Sequence, residues 1–286
     1  MSVQPTDNGA PLAAGAPQIS TAVLPLHGSS ASDDDLVIGG RHFRSRFILG
    51  SGKFSLDLMK TVLENAGAEI ATLALRRANA GGPANILDHL PRGITLLPNT
   101  SGARTAEEAV RIARLARELN RGDFIKLEVV TDSKYLLPDN HETVRAVEIL
   151  AHEGFVVLPY MYPDLNAARA MRDAGAAAVM PLAAPIGSNR GLQTREFIRI
   201  LVEEIDLPII VDAGIGRPSE ACEAMEMGVA AIMANTAIAT AGNVAMRARA
   251  FAGAIEAGRL AWRAGLGRRL ETGAEASSPL TGFLAG

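Results

Sequence analysis

From residue 36 onward, short apolar runs alternate with segments of helical periodicity. The apolar runs predict eight strands, at 46–50, 69–75, 94–97, 124–130, 155–159, 177–180, 208–212 and 230–234. The segments between them repeat apolar residues at helical spacing and predict helices at 106–117, 143–151, 165–174, 193–204 and 218–227. Near-continuous apolar strands that alternate with helices are typical of a parallel sheet covered on both faces.

The number of strand–helix units favours a closed barrel. About eight units match the (β/α)8 TIM barrel, whose usual size a chain of 286 residues can accommodate. The alternative is an open doubly wound sheet, which usually carries a glycine-rich fingerprint after its first strand, and Gly50-Ser51-Gly52-Lys53 lacks the full spacing. We therefore predict an α/β fold with a single-domain TIM barrel at 36–268, a disordered N-terminal tail at 1–35 and a C-terminal tail at 269–286.

Composition excludes several classes of function. The net charge of −3, without a basic run, argues against nucleic-acid binding, and no apolar stretch is long enough to span a membrane. Cys222 is the single cysteine, and the histidines show no ligand spacing, so we predict no disulfide, no metal and no cofactor. No Lys or Arg precedes Arg41, which fits neither a secretory signal nor a transit peptide. We expect a cytoplasmic protein.

The strongest candidate for chemistry is a lysine inside the fourth predicted strand. Side chains alternate along a strand, so Lys126 and Glu128 share one face while Ile125 and Leu127 share the other. If the apolar face packs under helices, the amine points into the interior. A buried lysine can be a neutral amine that attacks a carbonyl and forms an imine. The ordinary interpretation of a strand lysine is an exposed edge residue, but the barrel pattern favours the interior.

A phosphate site is predicted at the last two strand–helix turns. Ala213 and Gly214 follow the seventh strand, and Asn235 and Thr236 follow the eighth. Phosphate-binding barrels commonly use backbone N–H groups of these two turns. Gly187, after the sixth strand, could close a third side. A phosphorylated sugar is therefore predicted, with its anion at these turns and its carbonyl at Lys126.

A second carboxylate is expected at the same end of the barrel. Asp212 ends the seventh strand, so Asp212 and Glu128 are candidates for moving protons. Either could instead form an ion pair with Lys126, or with Arg76 or Arg77 after the second strand. Burial lowers the pKa of a lysine and an ion pair raises it, and the sequence leaves that balance open.

A series of collinear motifs resembles bacterial thiazole synthase of thiamine biosynthesis. The motifs include Leu96-Leu-Pro-Asn-Thr-Ser-Gly102, Lys126-Leu-Glu-Val129, Ala184-Pro-Ile-Gly-Ser188, Val211-Asp-Ala-Gly-Ile-Gly216 and Asn235-Thr-Ala-Ile238. The resemblance extends from about residue 36 to at least residue 262. It departs at Tyr160-Met161-Tyr162-Pro163-Asp164 and at Asn189-Arg190, both of which we expect to flank the barrel mouth.

The resemblance implies a specific reaction. A thiazole synthase condenses 1-deoxy-D-xylulose 5-phosphate, dehydroglycine and sulfur, and the sulfur comes from the thiocarboxylated C-terminus of a ubiquitin-like sulfur carrier protein. It implies that Lys126 forms the imine and that Glu128 and Asp212 are the acid–base groups. The positions matching Gly187, Ala213–Gly214 and Asn235–Thr236 would hold the phosphate. It also implies a homotetramer and a separate dehydroglycine-forming enzyme, either a radical tyrosine lyase or a glycine oxidase.

Two other classes of function remain open from the residues. A class I aldolase or transaldolase would use the same lysine imine to cleave a sugar phosphate without a sulfur donor. A non-catalytic phosphate-binding barrel would bind its ligand without needing the amine. Cys222 is predicted on the helix after the seventh strand, away from the mouth, so sulfur chemistry would need a donor from outside the chain.

Overall fold

The structure of the chain is a computed structural model that describes residues 33–52, 56–74, 90, 93–120, 122–268 and 270–273. Most of both predicted tails, 1–35 and 269–286, lies outside the described residues. So do Lys53, Arg76 and Arg77, and Leu75 at the end of a predicted strand.

Eight of the ten described strands form one parallel sheet. A short antiparallel hairpin comes first, with β1 at Leu36–Ile38 and β2 at Arg41–Phe43. The sheet strands are β3 (Phe47–Leu49), β4 (Ile70–Ala74), β5 (Thr95–Asn99), β6 (Phe124–Leu127), β7 (Val156–Met161), β8 (Met180–Pro181), β9 (Ile210–Val211) and β10 (Ala231–Ala234). They pair in the order β8-β7-β6-β5-β4-β3-β10-β9. Parallel bridges from Val179 to Ile209 and from Leu182 to Asp212 join β8 to β9, so the strands form a ring. The predicted TIM barrel is confirmed.

Helices alternate with the barrel strands along the chain. The described helices are α1 (Leu56–Ala66), α2 (Ala106–Asn120), α3 (Asn140–His152), α4 (Leu165–Asp173), α5 (Arg195–Glu204), α6 (Pro218–Glu226), α7 (Thr236–Ala239) and α8 (Val244–Ala264). Asp139 and Asp164 start α3 and α4 as N-caps, since their carboxylates accept the backbone N–H groups of Glu142 and Ala167. The five predicted helices are confirmed in α2 to α6, whereas α1, α7 and α8 were not among the predictions. No helix within the described ranges is both long and apolar enough to cross a bilayer.

Each barrel strand is buried on two sides. Ile125, Leu127 and Val129 face outward, in the layer shared with residues of the surrounding helices such as Ala109. The inward-facing layer includes Leu158.

The hairpin closes the N-terminal end of the barrel. Leu36, Ile38 and Phe43 belong to the same buried cluster as the inward-facing side chains. The Phe43 ring meets the ring of Phe124, at the start of β6, edge-on with centroids 6.1 Å apart. The two strands of the hairpin have three residues each, which is too short for a periodic pattern to reveal them in the sequence. With this end filled, the opposite end of the barrel is left for chemistry.

Each of the eight predicted strands overlaps a barrel strand, although several ends differ; β8, for example, spans Met180–Pro181 rather than 177–180. β6 ends at Leu127 rather than at residue 130, so Glu128 follows the strand instead of lying within it. β7 continues to Met161 because Tyr160 and Met161 pair with β8. The segment 160–164, which we expected to flank the mouth, therefore begins inside the strand: the side chains of Tyr160 and Met161 are fully buried, and exposure begins at Tyr162.

Candidate active site

Lys126 lies inside the barrel, as its strand position predicts. It pairs in register with Leu158 of β7 and with Asn99 of β5, and its side chain is only 3% exposed. Its neighbours Ile125 and Leu127 point to the helical layer. The alternative of an exposed edge lysine is therefore excluded by the fold.

Two buried carboxylates hold the amine. Lys126 Nζ lies 2.6 Å from Glu128 Oε1 and 2.7 Å from Asp212 Oδ2. Glu128 is 6% exposed and Asp212 is 5% exposed, so the three charges interact with little solvent screening. Asp212 comes from the end of β9, on another part of the ring, so the barrel itself brings the predicted trio together.

The contacts resolve the balance that the sequence left open. Burial is the largest influence on Lys126 and lowers its pKa, but the charges of Asp212 and Glu128 together outweigh it and raise the pKa above its usual value. Burial likewise raises the pKa of the Asp212 carboxyl, although Lys126 opposes this. With its pKa raised, the Lys126 amine is protonated near neutral pH. The raised pKa of Asp212 means that this carboxylate binds a proton more readily than an exposed aspartate does.

Thr100 fixes the end of β6 where regular pairing with β5 is sparse. Its hydroxyl donates to the carbonyl oxygen of Glu128 at 2.7 Å and accepts from the Glu128 N–H at 2.8 Å. Its own N–H donates to the carbonyl oxygen of Lys126 at 3.1 Å. Thr100 is fully buried, so these bonds form in a dry environment and hold both Lys126 and Glu128 in place.

The predicted phosphate turns form a left-handed backbone cradle. Gly187, Ala213 and Gly214 have φ values of +74°, +60° and +84°. A residue with a side chain, such as Ala213, rarely adopts this region, and the surrounding fold must hold it there. Among the described residues, no protein acceptor takes the backbone N–H of Gly187 or of Gly214. Unpaired N–H groups in such a bend are donors for an anion.

Asn235 lies in the β10–α7 turn, and its side chain binds a neighbouring turn. Its side-chain amide spans the Gly50 carbonyl and the Gly52 N–H, 3.2 Å from each when its oxygen faces the Gly52 N–H. The sequence placed Asn235 at the phosphate site, but its side-chain amide binds backbone of the turn after β3. The backbone at Asn235 and Thr236, the start of α7, remains beside the cradle.

One cavity of about 460 Å³ joins the amine and the cradle. All eight predicted site residues line it: Lys126, Glu128, Asp212, Gly187, Ala213, Gly214, Asn235 and Thr236. Asn189, which the sequence placed at the mouth, lines it as well. Cys222 of α6 is not among the lining residues, as expected from its predicted helix.

The sequence missed part of the lining. Arg104, Ser133 and Leu136 contribute from the segments that follow β5 and β6. Leu136 has a φ of +56°, unusual for a leucine. The position of Arg104 shortly after a barrel strand was the available signal, because that end of the barrel is where such loops meet.

The described residues contain no group of three or more His, Cys, Asp or Glu side chains arranged to hold a metal ion.

Comparison with known proteins places these features in one family. The family model "Thiazole biosynthesis protein ThiG" matches residues 37–279. A thiazole synthase from Clostridium beijerinckii is 71% identical over 251 residues, covering 88% of this chain and 98% of the relative. A thiazole synthase from Fusobacterium nucleatum subsp. nucleatum is 70% identical over 253 residues, with coverage of 88% and 98%.

Solved structures agree with the barrel. A chain of the Amycolatopsis orientalis BexX/CysO complex is 36% identical, covers 84% of this chain and 100% of its own length, and superposes with a TM-score of 0.76. A mandelate oxidase is 16% identical with a TM-score of 0.56, covers 80% of this chain and 79% of its own, and is similar in fold alone. Together with the family match, these comparisons show that the chain belongs to the thiazole synthase (ThiG) family, whose members are enzymes of thiamine biosynthesis.

Proposed function

We propose that this chain condenses 1-deoxy-D-xylulose 5-phosphate with dehydroglycine and sulfur through an imine at Lys126. The observation that carries the proposal is the shared cavity, in which a dry amine lies between two carboxylates and faces an anion cradle. A ketose phosphate is the ligand that such an arrangement fits. Its phosphate accepts from the N–H groups at Gly187 and Gly214, while its carbonyl reaches Lys126.

Imine formation requires the ammonium to lose a proton first. Either Glu128 or Asp212 can receive it, because each carboxylate lies within hydrogen-bond distance of Nζ. The pKa of Asp212 is raised by burial, which suits it to hold the proton. The free amine then attacks the ketose carbonyl, and the same proton can leave with the hydroxyl group as water.

The imine makes the adjacent carbon of the sugar reactive toward sulfur. It acidifies the C–H next to it, so a carboxylate of the trio can remove that proton and the sugar tautomerises to expose a new carbonyl. The thiocarboxylate sulfur attacks there and replaces the carbonyl oxygen, which leaves on the carrier tail as its carboxylate. The sulfur then adds to the imino carbon of dehydroglycine, and the nitrogen of that adduct displaces the Lys126 amine to close the ring. The phosphate remains in the cradle throughout, which keeps the intermediates in the cavity.

The sulfur donor in this proposal is a protein partner, the thiocarboxylated tail of a ubiquitin-like sulfur carrier. Cys222 lies outside the cavity lining, and a desolvated thiol beside Glu226 has a raised pKa, so it is not suited to supply sulfur. The relative from Amycolatopsis orientalis was solved as a complex of two proteins, BexX and CysO, which supports a protein partner for this barrel. A dehydroglycine-forming enzyme and a homotetrameric assembly complete the proposal, and light scattering tests the assembly against the 30.0 kDa chain mass.

Borohydride trapping tests the imine directly. Wild-type protein mixed with the ketose phosphate and sodium borohydride should gain one reduced sugar phosphate by intact mass, and peptide mapping should place it on Lys126. Lys126→Met should gain nothing. Lys60→Met is the matched control, since Lys60 is exposed and pairs with Glu64 on the surface of α1, and it should trap as wild type does.

Two results would overturn the proposal. One is an adduct on a residue other than Lys126, which would move the imine elsewhere. The other is no thiazole from a mixture of the chain, the ketose phosphate, the carrier thiocarboxylate and glyoxylate with ammonium. Cleavage of the sugar phosphate by the purified chain alone would favour the aldolase alternative, which shares the trapped imine but needs no sulfur.

A further inference from the structure

Arg104 is a cavity residue with an unbalanced charge. Among the described residues it is the one cationic side chain besides Lys126 that lines the cavity. No described carboxylate lies within ion-pair distance of its guanidinium, which instead donates one hydrogen bond, 3.2 Å to the carbonyl oxygen of Thr131. Its backbone is anchored too, since its N–H donates to Glu108 Oε2 at 2.8 Å.

The charges already present in the site indicate what Arg104 can bind. Around the amine, one positive and two negative groups are already paired. The substrates of the proposed reaction bring further negative charge, as a phosphate and as the carboxylate of an imino acid. The phosphate is met by uncharged backbone donors in the cradle, so Arg104 is the described cation left for the carboxylate.

The cavity has two sides, and Arg104 belongs to the side away from the cradle. Gly187, Gly214 and Thr236 come from the segments after β8, β9 and β10, whereas Arg104 follows β5. Asn99, at the end of β5, also lines this side, and its side-chain oxygen is buried without a hydrogen-bond partner among the described residues. A ligand in this half is therefore offered a guanidinium and a free amide oxygen.

We propose that Arg104 binds the carboxylate of the second small substrate, an α-imino acid, while Asn99 accepts a hydrogen bond from its nitrogen. The inference rests on the proposed function and names the site of its second substrate. Lys126 lies between this site and the cradle, so the imino acid would be held beside the carbons of the ketose that it must join.

The guanidinium suits this role through its geometry. It presents five N–H donors in a planar fork, and a carboxylate can accept two of them in parallel. The bond to Thr131 uses one donor and orients the fork, which leaves the others for the ligand. A lysine at this position would keep the charge but lose the paired hydrogen bonds.

Steady-state kinetics of thiazole formation test the assignment, with glyoxylate and ammonium as the source of the imino acid. Arg104→Ala should raise the KM for glyoxylate at least about tenfold, as expected for a lost charged pair of hydrogen bonds. The KM for the ketose phosphate and the rate of borohydride trapping should remain within about twofold of wild type. The KM for glyoxylate of Arg104→Lys should lie between those of wild type and Arg104→Ala, because lysine keeps the charge but lacks the planar guanidinium.

Controls separate this inference from general damage. Arg111→Ala removes an exposed arginine of α2 that does not line the cavity, and it should leave every constant unchanged. Thermal unfolding of each variant checks folding. An unchanged KM for glyoxylate in Arg104→Ala overturns the inference, as does a rise confined to the ketose phosphate or to the carrier. If wild type itself fails to trap the ketose, the proposed function fails instead.

Discussion

Gly214→Ala tests the cradle at the position where the backbone has least room. Gly214 has a φ of +84°, and a Cβ built there would lie 2.5 Å from the Cβ and 2.7 Å from the Cα of Ala184. The nearest atom of all would be the Ala184 backbone nitrogen, which cannot rotate aside as a flexible side chain could. Because Ala184 belongs to the segment after β8, any relief must separate two neighbouring turns of the site.

The expected loss of stability has two parts. A left-handed conformation costs a residue with a Cβ about 1–2 kcal/mol. Forcing an extra methyl group into filled space adds roughly 1–3 kcal/mol. The free energy of unfolding should therefore fall by about 2–5 kcal/mol, which for a domain of this size lowers Tm by roughly 5–15 °C.

Gly40→Ala is the matched control. Gly40 lies in the β1–β2 turn with a φ of +76°, and nothing lies within 4 Å of a Cβ built there. This variant carries the conformational penalty alone, about 1–2 kcal/mol. Calorimetry or urea unfolding of the two variants thus separates the strain of the dihedral angle from the lack of space.

Activity supplies the second measurement. If the cradle holds the phosphate, Gly214→Ala should raise the KM for the ketose phosphate, and Gly40→Ala should not. Equal losses of Tm in the two variants would show that the close approach to Ala184 adds no destabilisation beyond that of the dihedral angle. A large loss of Tm with an unchanged KM would refute the assignment of the phosphate to this turn.

Three further predictions follow from buried charges and from one unpaired hydroxyl. Lys126→Met leaves Asp212 and its neighbouring carboxylate without a counter-charge, so the pKa of Asp212 rises further. Urea unfolding should show that the free energy of unfolding falls by about 3–5 kcal/mol at pH 8 and by less toward pH 5, where the carboxylate takes up a proton. A loss that does not change with pH would contradict this. Asp34→Asn removes the carboxylate that pairs with Arg46. Burial raises the pKa of Asp34, but Arg46, Arg259 and Arg263 outweigh burial and lower it. The ion pairs of Asp34 should therefore contribute about 2 kcal/mol to the free energy of unfolding at pH 7, and this contribution should vanish as pH falls through the lowered pKa, as urea unfolding of both proteins would show. Tyr160→Phe removes a buried hydroxyl that has no hydrogen-bond partner in the described structure, so Tm should stay equal or rise by a degree or two, and a clear drop would reveal a missing partner.

The sequence predicted the fold and the meeting of Lys126, Glu128 and Asp212 from the periodicity of the strands and the geometry of a barrel. A period of two along 124–130 was enough to place Lys126 and Glu128 on the inner face. Parallel strands in a barrel bring their carboxyl ends together, so Asp212 at the end of another strand was expected at the same mouth. In the structure both carboxylates lie within 2.7 Å of the Lys126 amine.

Contacts between segments far apart in the chain could not be predicted from the sequence. The direction of the Lys126 pKa depends on two distances below 3 Å, which no pattern along the chain specifies. Asn235 was expected at the phosphate site, yet its side chain binds the turn after β3, the strand that pairs with β10. Arg104 was overlooked because a lone arginine in a loop is usually a solvated surface residue.

The register of β6 links the stability of the barrel to its chemistry. A slip of one residue would turn Lys126 and Glu128 into the helical layer and bring Ile125 and Leu127 inside. The ladder between β5 and β6 records a single regular pair, at Asn99 and Lys126, so it resists such a slip weakly by itself. The ladder with β7 pairs all four residues of β6 and fixes its register on that side. On the β5 side, Thr100 adds three hydrogen bonds, all of them to the backbone of Lys126 or Glu128. Thr100 therefore helps to hold the backbone that carries both the amine and one of its carboxylates.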